Sequence, residues 1–327
     1  MARSKITLIG LGTIGASIGA ALRREPGNFQ IVGHDREPER AAAARKLGAV
    51  DRTEWNLHAA AEGAGLAILA VPLPELPELL GQIREDLLAG AVVLAITQAM
   101  VPTLALGPQA LDRRAYLVAG HPILSGFEED RTPPARRLAG QPFCVAASVD
   151  TPPEALEVVN NLVERMGATP LYMDPAEHDG LMALVEHLPQ LLGAALVRLS
   201  SQSPGWADGR KLAGATFARS TDIGDSPERL VGALHGNRAH LLERLDQFLA
   251  VLAEWRGWLE EADEEALRAA LTHAVADRAR WEEEVRRQEW GDGIPRTEEV
   301  EQPGLLRQMF FGDLFRGRRP SRPSDGE

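Results

Sequence analysis

A glycine-rich turn near the N-terminus, Gly10-Leu11-Gly12-Thr13-Ile14-Gly15, constrains the fold of this chain more than any other feature. It follows an apolar run, Ile6–Ile9, that predicts a strand, and it opens a segment with helical spacing. In such a strand–turn–helix, Gly10 permits the tight turn, Gly12 lets the backbone approach a phosphate, and Gly15 allows close packing of helix on strand. The pattern predicts a dinucleotide-binding βαβ unit, although a glycine-rich turn without a ligand has the same spacing.

Residues around this turn indicate which dinucleotide is bound. The N–H groups at the helix start, at Thr13 and Ile14, can bind a pyrophosphate. Asp35 ends the second predicted strand, where an acid can bond both ribose hydroxyls and would repel the 2′-phosphate of NADP. Its neighbour Arg36 could stack on adenine or meet a 2′-phosphate instead. The sequence therefore predicts NAD as the cofactor, with NADP less favoured.

The first half of the chain alternates strand-like and helix-like segments, which predicts an α/β fold with a doubly wound parallel sheet. After Asp174 the pattern changes to long stretches of helical spacing. We therefore expect an N-terminal Rossmann domain over 1–173, an all-helical second domain over 174–290 and a C-terminal extension over 291–327 whose end is mobile. The predicted strands are Ile6–Ile9, Gln30–His34, Leu66–Val71, Ala91–Ile96, Ala115–Ala119, Phe143–Ala146 and Thr169–Met173, and the helices among them are Ile14–Arg24, Glu37–Leu47, Leu76–Leu88, Val101–Leu111 and Pro153–Met166.

Composition excludes several classes of protein. The net charge of −12 would repel phosphate backbones, so a general nucleic-acid role is not expected. The single cysteine, Cys144, rules out an intramolecular disulfide and fits a reducing cytoplasm. We see no signal-peptide pattern and no apolar run near the roughly 20 residues of a membrane span. Neither histidines nor carboxylates show metal-ligand spacing, so we expect no metal site. From the cysteine content we expect a cytoplasmic protein.

Three histidines are candidates for chemistry. His121 follows the fifth predicted strand, where ligands of α/β proteins bind, and an imidazole can take a hydroxyl proton during hydride transfer. A loop histidine bonded to nearby backbone is the alternative. His178 and Asp179 begin the first helix of the second domain, where they could simply charge and cap it. His187 lies in that helix beside Pro189, which should bend it, and could instead be an interface histidine.

Together these motifs resemble those of the prephenate/arogenate dehydrogenase family, from about residue 5 to 255. The resemblance implies a Rossmann domain followed by a helical domain that forms a homodimer. It also implies oxidative decarboxylation of a cyclohexadienol in tyrosine biosynthesis, with His121 taking the hydroxyl proton, and it adds Val71 and Pro72 to the cofactor contacts. The matching stretches are Gly10-x-Gly12-x-x-Gly15-x-Ser17-x-Gly19, Asp35-Arg36, Ala70-Val71-Pro72, Gly120-His121-Pro122 and His178-Asp179-x-x-Met182-Ala183-x-x-x-His187-Leu188-Pro189, with a weaker echo in Ser226-Pro227-Glu228 and Asn237-Arg238.

Several departures from the family concern the substrate. Gln98 and Met100 stand where the family has a catalytic serine and a lysine, and Asp222 stands where a substrate-binding arginine is expected. An acid cannot pair with a substrate carboxylate, but Arg219 could substitute from one helical turn earlier if that segment is helical. Around His187, Glu186 and Gln190 replace a serine and a second histidine. The residues expected to contact substrate are Gln98, Ser125, His187 and Arg219.

Two other functions stay open. The altered residues at Gln98, Met100 and Asp222 would suit an NAD-binding regulatory protein without catalysis. A β-hydroxyacid dehydrogenase or imine-reductase-like enzyme shares the architecture, but the former relies on a lysine that this chain lacks between Lys46 and Lys211. For the apolar and basic residues of the C-terminal extension, docking on the protein itself or on a partner subunit is favoured over membrane binding.

Overall fold

The computed structural model describes residues 3–24, 27–124, 134–224 and 226–287, and it divides into two compact units. The first unit takes in 3–179 together with 226–236, and the second takes in 180–224 together with 237–287. Ser125 and the extension over 291–327 lie outside the described residues. The domain limits read from the sequence stay predictions.

An eight-stranded sheet forms the centre of the first unit, in the order β3-β2-β1-β4-β5-β6-β7-β8. The order steps outward in both directions from β1 and β4, which confirms the doubly wound architecture and places the ligand crevice at the carboxyl ends of those strands. The strands are β1 Ser4–Ile9, β2 Phe29–His34, β3 Arg52–Thr53, β4 Leu66–Leu69, β5 Ala91–Ile96, β6 Ala115–Pro122, β7 Pro142–Ala147 and β8 Thr169–Tyr172.

Two features of this sheet differ from the prediction. β7 runs antiparallel to β6, and β8 runs parallel to β7, so the last two strands oppose the first six. Antiparallel neighbours need no helical crossover, and the sequence carries no helical pattern between β6 and β7. β3 was not predicted because two polar residues are too few to show strand periodicity.

Helices cover both faces of the sheet. Every residue of β4 and β5 is buried, as expected for central strands. One apolar cluster includes Ile18 and Leu162, and the other includes Leu80, so different helices cover the two faces. The helices of the first unit are α1 Thr13–Leu22, α2 Pro38–Lys46, α3 Leu57–Ala61, α4 Leu76–Ile83, α5 Met100–Leu104, α6 Gly107–Ala110 and α7 Pro153–Arg165, with α8 Pro175–Met182 beginning there.

The described part of the second unit is helical and contains no strand. Its helices are α9 Leu188–Ser201, α10 Trp206–Leu212, α11 Ala215–Ser220, α13 Arg238–Glu260 and α14 Glu264–Arg287, while α12 Pro227–Gly236 belongs to the first unit. By length and composition alone, the helical run Pro175–Ser201 is apolar enough to cross a membrane. This is weak evidence for a span, because core helices of soluble proteins have the same composition.

The predicted bend at Pro189 takes the form of a π-helical segment, Ala183–His187. Pro189 has no N–H to donate to the carbonyl of Val185, four residues earlier. The preceding hydrogen bond is widened as well, because the Leu188 N–H donates to the carbonyl of Ala183, five residues back. Such π turns are frequent at functional sites, and this one contains His187.

Candidate active site

The glycine-rich turn is shaped by the absence of side chains. Gly10 has a φ of +88°, a conformation that favours glycine, and a Cβ there would lie 2.5 Å from the carbonyl oxygen of Ala70. A Cβ on Gly15 would lie 1.9 Å from the carbonyl oxygen of Gly10. Both contacts are to backbone, which cannot move aside as a side chain can. The turn and the helix start are therefore packed so closely that only glycine fits at these two positions.

Gly12 serves a different purpose, because a Cβ at this position would meet nothing within 4 Å. It is the N-cap of α1 and provides no side-chain hydrogen bond to the helix. The first N–H groups of α1 therefore follow a residue that has no side chain and has open space on its Cβ side. This is the cradle that a pyrophosphate requires, so the residues present fit a dinucleotide.

Asp35 connects the end of β2 to this cradle. Its Oδ2 accepts a hydrogen bond from the Leu11 N–H at 2.7 Å, and its Oδ1 accepts one from the Glu37 N–H at 2.8 Å. A carboxylate has about four lone-pair positions, so both oxygens keep capacity for ribose hydroxyls. Burial lowers the pKa of the neighbouring His34, against an opposing effect of the Asp35 carboxylate. A neutral His34 leaves the negative charge of Asp35 uncompensated from that side.

Arg36 is less available to a 2′-phosphate than its position suggests, since it forms an ion pair with Glu75 at 3.1 Å. Next to Asp35 lies a groove of about 740 Å³ whose lining includes Arg36, Ala41 and Trp55. This volume is in the range of small-molecule sites. The groove adjoins the acid expected to hold the adenosine ribose, so it can accept the adenine end of a dinucleotide.

His121 lies within β6 rather than in a loop after the strand, which corrects the predicted location. It pairs in register with Cys144 of the antiparallel strand β7 and is 6% exposed. The antiparallel pairing extends β6 to Pro122, and no pattern in the sequence shows this. Strand pairing therefore holds the His121 backbone rigidly at the carboxyl end of the sheet.

A chain of three buried side chains starts from this histidine. The Nδ1 of His121 lies 3.1 Å from the Nε2 of His178, and the Nδ1 of His178 lies 2.9 Å from the Oδ1 of Asp179. His178 is fully buried and Asp179 is 1% exposed. Two backbone groups hold the carboxylate, because Oδ1 accepts the Met100 N–H at 2.7 Å and Oδ2 accepts the Val101 N–H at 2.9 Å.

The hydrogen-bonded series of His121, His178 and Asp179 determines which nitrogen of each histidine ring carries a proton. A carboxylate only accepts hydrogen bonds, so the Nδ1 of His178 must carry a proton and donate it to Asp179. In neutral His178 the Nε2 is then an acceptor, and the Nδ1 of His121 must donate to it. The basic lone pair of His121 is consequently on Nε2.

Comparison with known proteins decides the family. Residues 18–172 match the family model of the prephenate dehydrogenase nucleotide-binding domain, and residues 174–273 match that of the prephenate dehydrogenase dimerization domain. The chain belongs to the prephenate dehydrogenase family. Membership confirms the resemblance stated from the motifs and the predicted class, an NAD-dependent oxidoreductase of the prephenate dehydrogenase type.

Individual relatives are distant but cover most of the chain. The prephenate dehydrogenase of Bacillus subtilis is 26% identical over 269 residues, which is 81% of this chain and 72% of the relative. The cyclohexadienyl dehydrogenase of Zymomonas mobilis is 23% identical over 263 residues, 79% of this chain and 89% of the relative. The solved prephenate dehydrogenase of Aquifex aeolicus, in complex with hydroxyphenyl propionate and NAD+, has a TM-score of 0.74 at 23% identity and covers 86% of this chain and 99% of its own. The latter likeness shows a shared fold.

Two of the departures from the family lie in the first unit. Met100, at the position of the family's lysine, is fully buried in an apolar cluster with Ala119, Cys144 and Ala146. A lysine ammonium could not be accommodated there without a partner. Gln98, at the position of the family's serine, is half-buried and lies two residues after the end of β5, so it is at the same carboxyl edge of the sheet as His121. Ser125 lies outside the described residues.

The other predicted substrate residues belong to the second unit. His187 is fully buried, and its Nδ1 lies 3.1 Å from the Nδ2 of Asn237. The Oε1 of Gln190 is buried and has no hydrogen-bond partner within the part of the chain that the structure describes. Arg219 is exposed in the last turn of α11, while Asp222 lies beyond the end of that helix. No group of three His, Cys, Asp or Glu residues within the described ranges could hold a metal ion.

Arg229 was not singled out from the sequence. It lies in α12, and its Nη2 donates a hydrogen bond to the carbonyl of Ala70 at 3.1 Å. Ser226 and Pro227 gave the available signal, since serine is a preferred N-cap and proline a preferred first helical residue. They predict where α12 begins, but they do not predict that α12 packs on a segment about 160 residues earlier.

Proposed function

We propose that this chain catalyses the NAD-dependent oxidative decarboxylation of a prephenate-type cyclohexadienol. The observation that carries the proposal is the buried series Asp179–His178–His121, which gives one histidine nitrogen a fixed lone pair at the carboxyl edge of a dinucleotide-binding sheet. The similarity to prephenate and cyclohexadienyl dehydrogenases supports the substrate class.

In this reaction the Nε2 of His121 takes the proton of the ring hydroxyl. NAD, when bound, accepts the hydride that leaves the carbinol carbon. The bond between the ring and its carboxylate then breaks, carbon dioxide leaves, and the electron pair of that bond completes an aromatic phenolate. His121 returns its proton to the phenolate oxygen, which gives the phenol and restores the base.

The role of the buried series is to stabilise the protonated base. Once Nε2 takes a proton, His121 is positively charged and donates from Nδ1 to His178, whose own proton is held by Asp179. The Asp179 carboxylate is fixed by two N–H groups at the start of α5, so it does not have to reorganise when the charge appears. His178 and Asp179 are thus positioning residues, and His121 is the catalytic base.

For the cofactor, we assign the pyrophosphate to the N–H groups of Thr13 and Ile14 beside Gly12, and the adenosine ribose to Asp35. Val71 and Pro72, directly after β4, adjoin Gly10, since a Cβ on Gly10 would lie 3.1 Å from the Cγ1 of Val71. Arg36 would contact the adenine from its position beside the groove. These contacts favour NAD over NADP.

For the substrate, we assign contacts to Gln98, Ser125, His187 and Arg219, and we add Gln190 because its buried Oε1 lacks a partner among the described residues. Arogenate is the second candidate substrate. It carries an ammonium where prephenate carries a keto group, and the exposed acid Asp222 replaces an arginine of the family. An acid attracts this ammonium, whereas the keto group of prephenate offers it no positive charge.

We also propose a homodimer formed through the helical domain. The match to a dimerization domain supports it. Helices of the second unit leave large apolar side chains exposed, Val185, Leu199 and Leu259 among them, and such surfaces are commonly buried between subunits. Analytical ultracentrifugation is expected to give a dimer mass at micromolar concentration, and a monomer would contradict the proposal. The cytoplasmic location stays a prediction that rests on the cysteine content.

The test of the activity is NADH formation with prephenate and with arogenate as substrate. His121→Ala is expected to lower kcat by about 10³-fold, since general-base catalysis contributes on this order, while the Kd for NAD stays unchanged. His273→Ala, which removes an exposed histidine of α14, is the matched control and should leave kcat unchanged. Normal turnover by His121→Ala would refute the assignment. NAD binding without turnover of either substrate by the wild-type protein would favour a regulatory role.

A further inference from the structure

Arg229 lies beside the cofactor turn, because it bonds to a carbonyl oxygen that the turn also approaches. Its Nη2 donates to the carbonyl oxygen of Ala70 at 3.1 Å. The same oxygen is the atom that a Cβ on Gly10 would approach to 2.5 Å. A half-buried guanidinium therefore lies next to the turn whose N–H groups form the dinucleotide cradle.

The position of Arg229 is set by close packing of its helix. On α12, a Cβ at Gly232 would lie 2.7 Å from the Cδ of Pro74, and a Cβ at Gly236 would lie 2.7 Å from the Cδ2 of Leu73. Residues three and four apart on a helix share a face, so Arg229, Gly232 and Gly236 all face this contact. The missing side chains bring α12 close to the segment after β4, and this brings Arg229 within reach of Ala70.

The start of α12 fixes the arginine further. The Oγ of Ser226 accepts a hydrogen bond from the Arg229 N–H at 3.3 Å, which is an N-capping contact, and Pro227 is the first helical residue. The backbone at Arg229 is thus held by its own helix start. Only the side-chain torsions remain to orient the guanidinium.

The electrostatics of the cradle call for such a cation. Neither the turn from Gly10 to Gly15 nor the whole of α1 contains a charged side chain. A helix N-terminus supplies only about half a positive charge, whereas a pyrophosphate carries two negative charges. A guanidinium is the side chain best suited to add the rest, because its planar donors match two phosphate oxygens at once.

We propose that Arg229 is a pyrophosphate-binding residue of the cofactor site. The Nη2 hydrogen bond to Ala70 holds the guanidinium beside the turn, and this group, which has five N–H donors in all, also contacts the phosphate oxygens of the bound dinucleotide. The assignment rests on the proposed function only in that the ligand is a dinucleotide.

The test measures binding of ADP-ribose, which carries the pyrophosphate without the nicotinamide and requires no turnover. Arg229→Gln is expected to raise the Kd for ADP-ribose and for NAD about tenfold, as loss of a charge-assisted contact does. It should also flatten the dependence of Kd on sodium chloride, because screening weakens a charge contact that the variant no longer has. Arg229→Lys should restore the salt dependence and part of the affinity. Arg210→Gln, an exposed arginine of α10 with the same change in charge, is the control and should bind as the wild type does.

Three results with Arg229→Gln would overturn the proposal. An unchanged Kd in Arg229→Gln would mean that no phosphate contact exists. A raised Kd with an unchanged salt dependence would mean that the arginine only braces Ala70. A raised KM for prephenate with an unchanged Kd for ADP-ribose would move the contact to a substrate carboxylate. If Arg229→Gln does not fold, the proposal is tested with Arg229→Lys and with the salt dependence of the Kd for ADP-ribose in the wild type. A wild-type Kd that does not depend on salt would refute the proposal. A wild type that binds ADP-ribose but oxidises neither substrate would refute the proposed function while leaving this inference testable.

Discussion

The cofactor turn and the histidine series of this molecule are built in opposite ways. The turn lies within the six residues from Gly10 to Gly15, and its shape depends on side chains that are missing, while the proposed cofactor contacts come from backbone N–H groups. The partners in the histidine series are far apart in the sequence: His121 and His178 are 57 positions apart, and Met100 and Asp179 are 79 positions apart. The turn should therefore fail when a side chain is added, and the series should fail when one is removed.

The largest effect is expected where a side chain is added to the turn. In Gly15→Ala, the new Cβ would lie 1.9 Å from the carbonyl oxygen of Gly10, so α1 must move away from the turn. We expect the Kd for NAD to rise at least about 100-fold, because the helix start no longer faces the pyrophosphate. Calorimetric titration with NAD measures this, and thermal unfolding should show a lowered midpoint.

Gly12→Ala is the matched control for that variant. A Cβ at Gly12 meets nothing within 4 Å, and its φ of −68° suits alanine, so the midpoint of thermal unfolding should not fall. The methyl group would nevertheless enter the cradle and weaken NAD binding. Wild-type affinity for NAD in Gly15→Ala would show that the dinucleotide does not bind at this turn.

A smaller effect is expected where the histidine series loses its charge. In Asp179→Asn one side-chain oxygen remains to accept hydrogen bonds. The amide nitrogen that replaces the other oxygen is itself a donor, so it would repel either the Val101 N–H or the Met100 N–H, depending on which way the amide is turned. We expect kcat to fall about 10- to 100-fold with little change in KM or in the Kd for NAD, because the imidazolium of His121 loses its counter-charge.

A spectroscopic measurement separates this role from a merely structural one. Nitrogen-15 NMR of the wild type should show His121 protonated at Nδ1, and in Asp179→Asn the two tautomers should mix. Asp174→Asn is the control, because Asp174 caps α8 through the Ala176 and Glu177 N–H groups and asparagine caps equally well. A normal kcat in Asp179→Asn would contradict the proposed role of the series, because His121 would then act as a base without it.

These differences in construction also explain what could be predicted from the sequence. A backbone site is local, so the spacing of Gly10, Gly12 and Gly15 and the strand before them were sufficient to predict the turn. Asp179 shows the opposite case. Its position near a helix start predicted that it would cap its own helix, but Asp174 caps α8, and Asp179 caps α5 instead. No local pattern shows which distant N–H groups a buried carboxylate will meet.

The substrate side was less predictable for a related reason. Arg219 was expected to replace the family's arginine from one helical turn before Asp222, but α11 ends at Ser220, so the two residues do not share a helix. Helical spacing relates two side chains only while the helix continues, and α11 is too short for its end to be predicted. The role of Arg219 stays a prediction.

The smallest expected effect concerns Asp35. This residue combines the two kinds of site, because it is a side chain that holds the backbone turn by accepting the Leu11 N–H. In Asp35→Asn, one oxygen can still accept the Leu11 N–H, while the amide nitrogen faces the Glu37 N–H. The Kd for NAD should rise about tenfold as the charge-assisted ribose contact is lost, and NADP should bind better as the repulsion of its 2′-phosphate disappears.

Arg36 determines how that result is interpreted. If the gain in NADP binding comes from Arg36 meeting the 2′-phosphate, it should disappear in Asp35→Asn combined with Arg36→Gln. In the wild-type background, Arg36→Gln should raise the Kd for NAD only slightly, because the proposed contact with adenine is made by an exposed side chain that is also paired with Glu75. Fluorescence titration of all three variants with NADH and NADPH measures both ratios. Equal binding of the two cofactors by the wild type would mean that Asp35 is occupied with bracing the turn and does not select the cofactor.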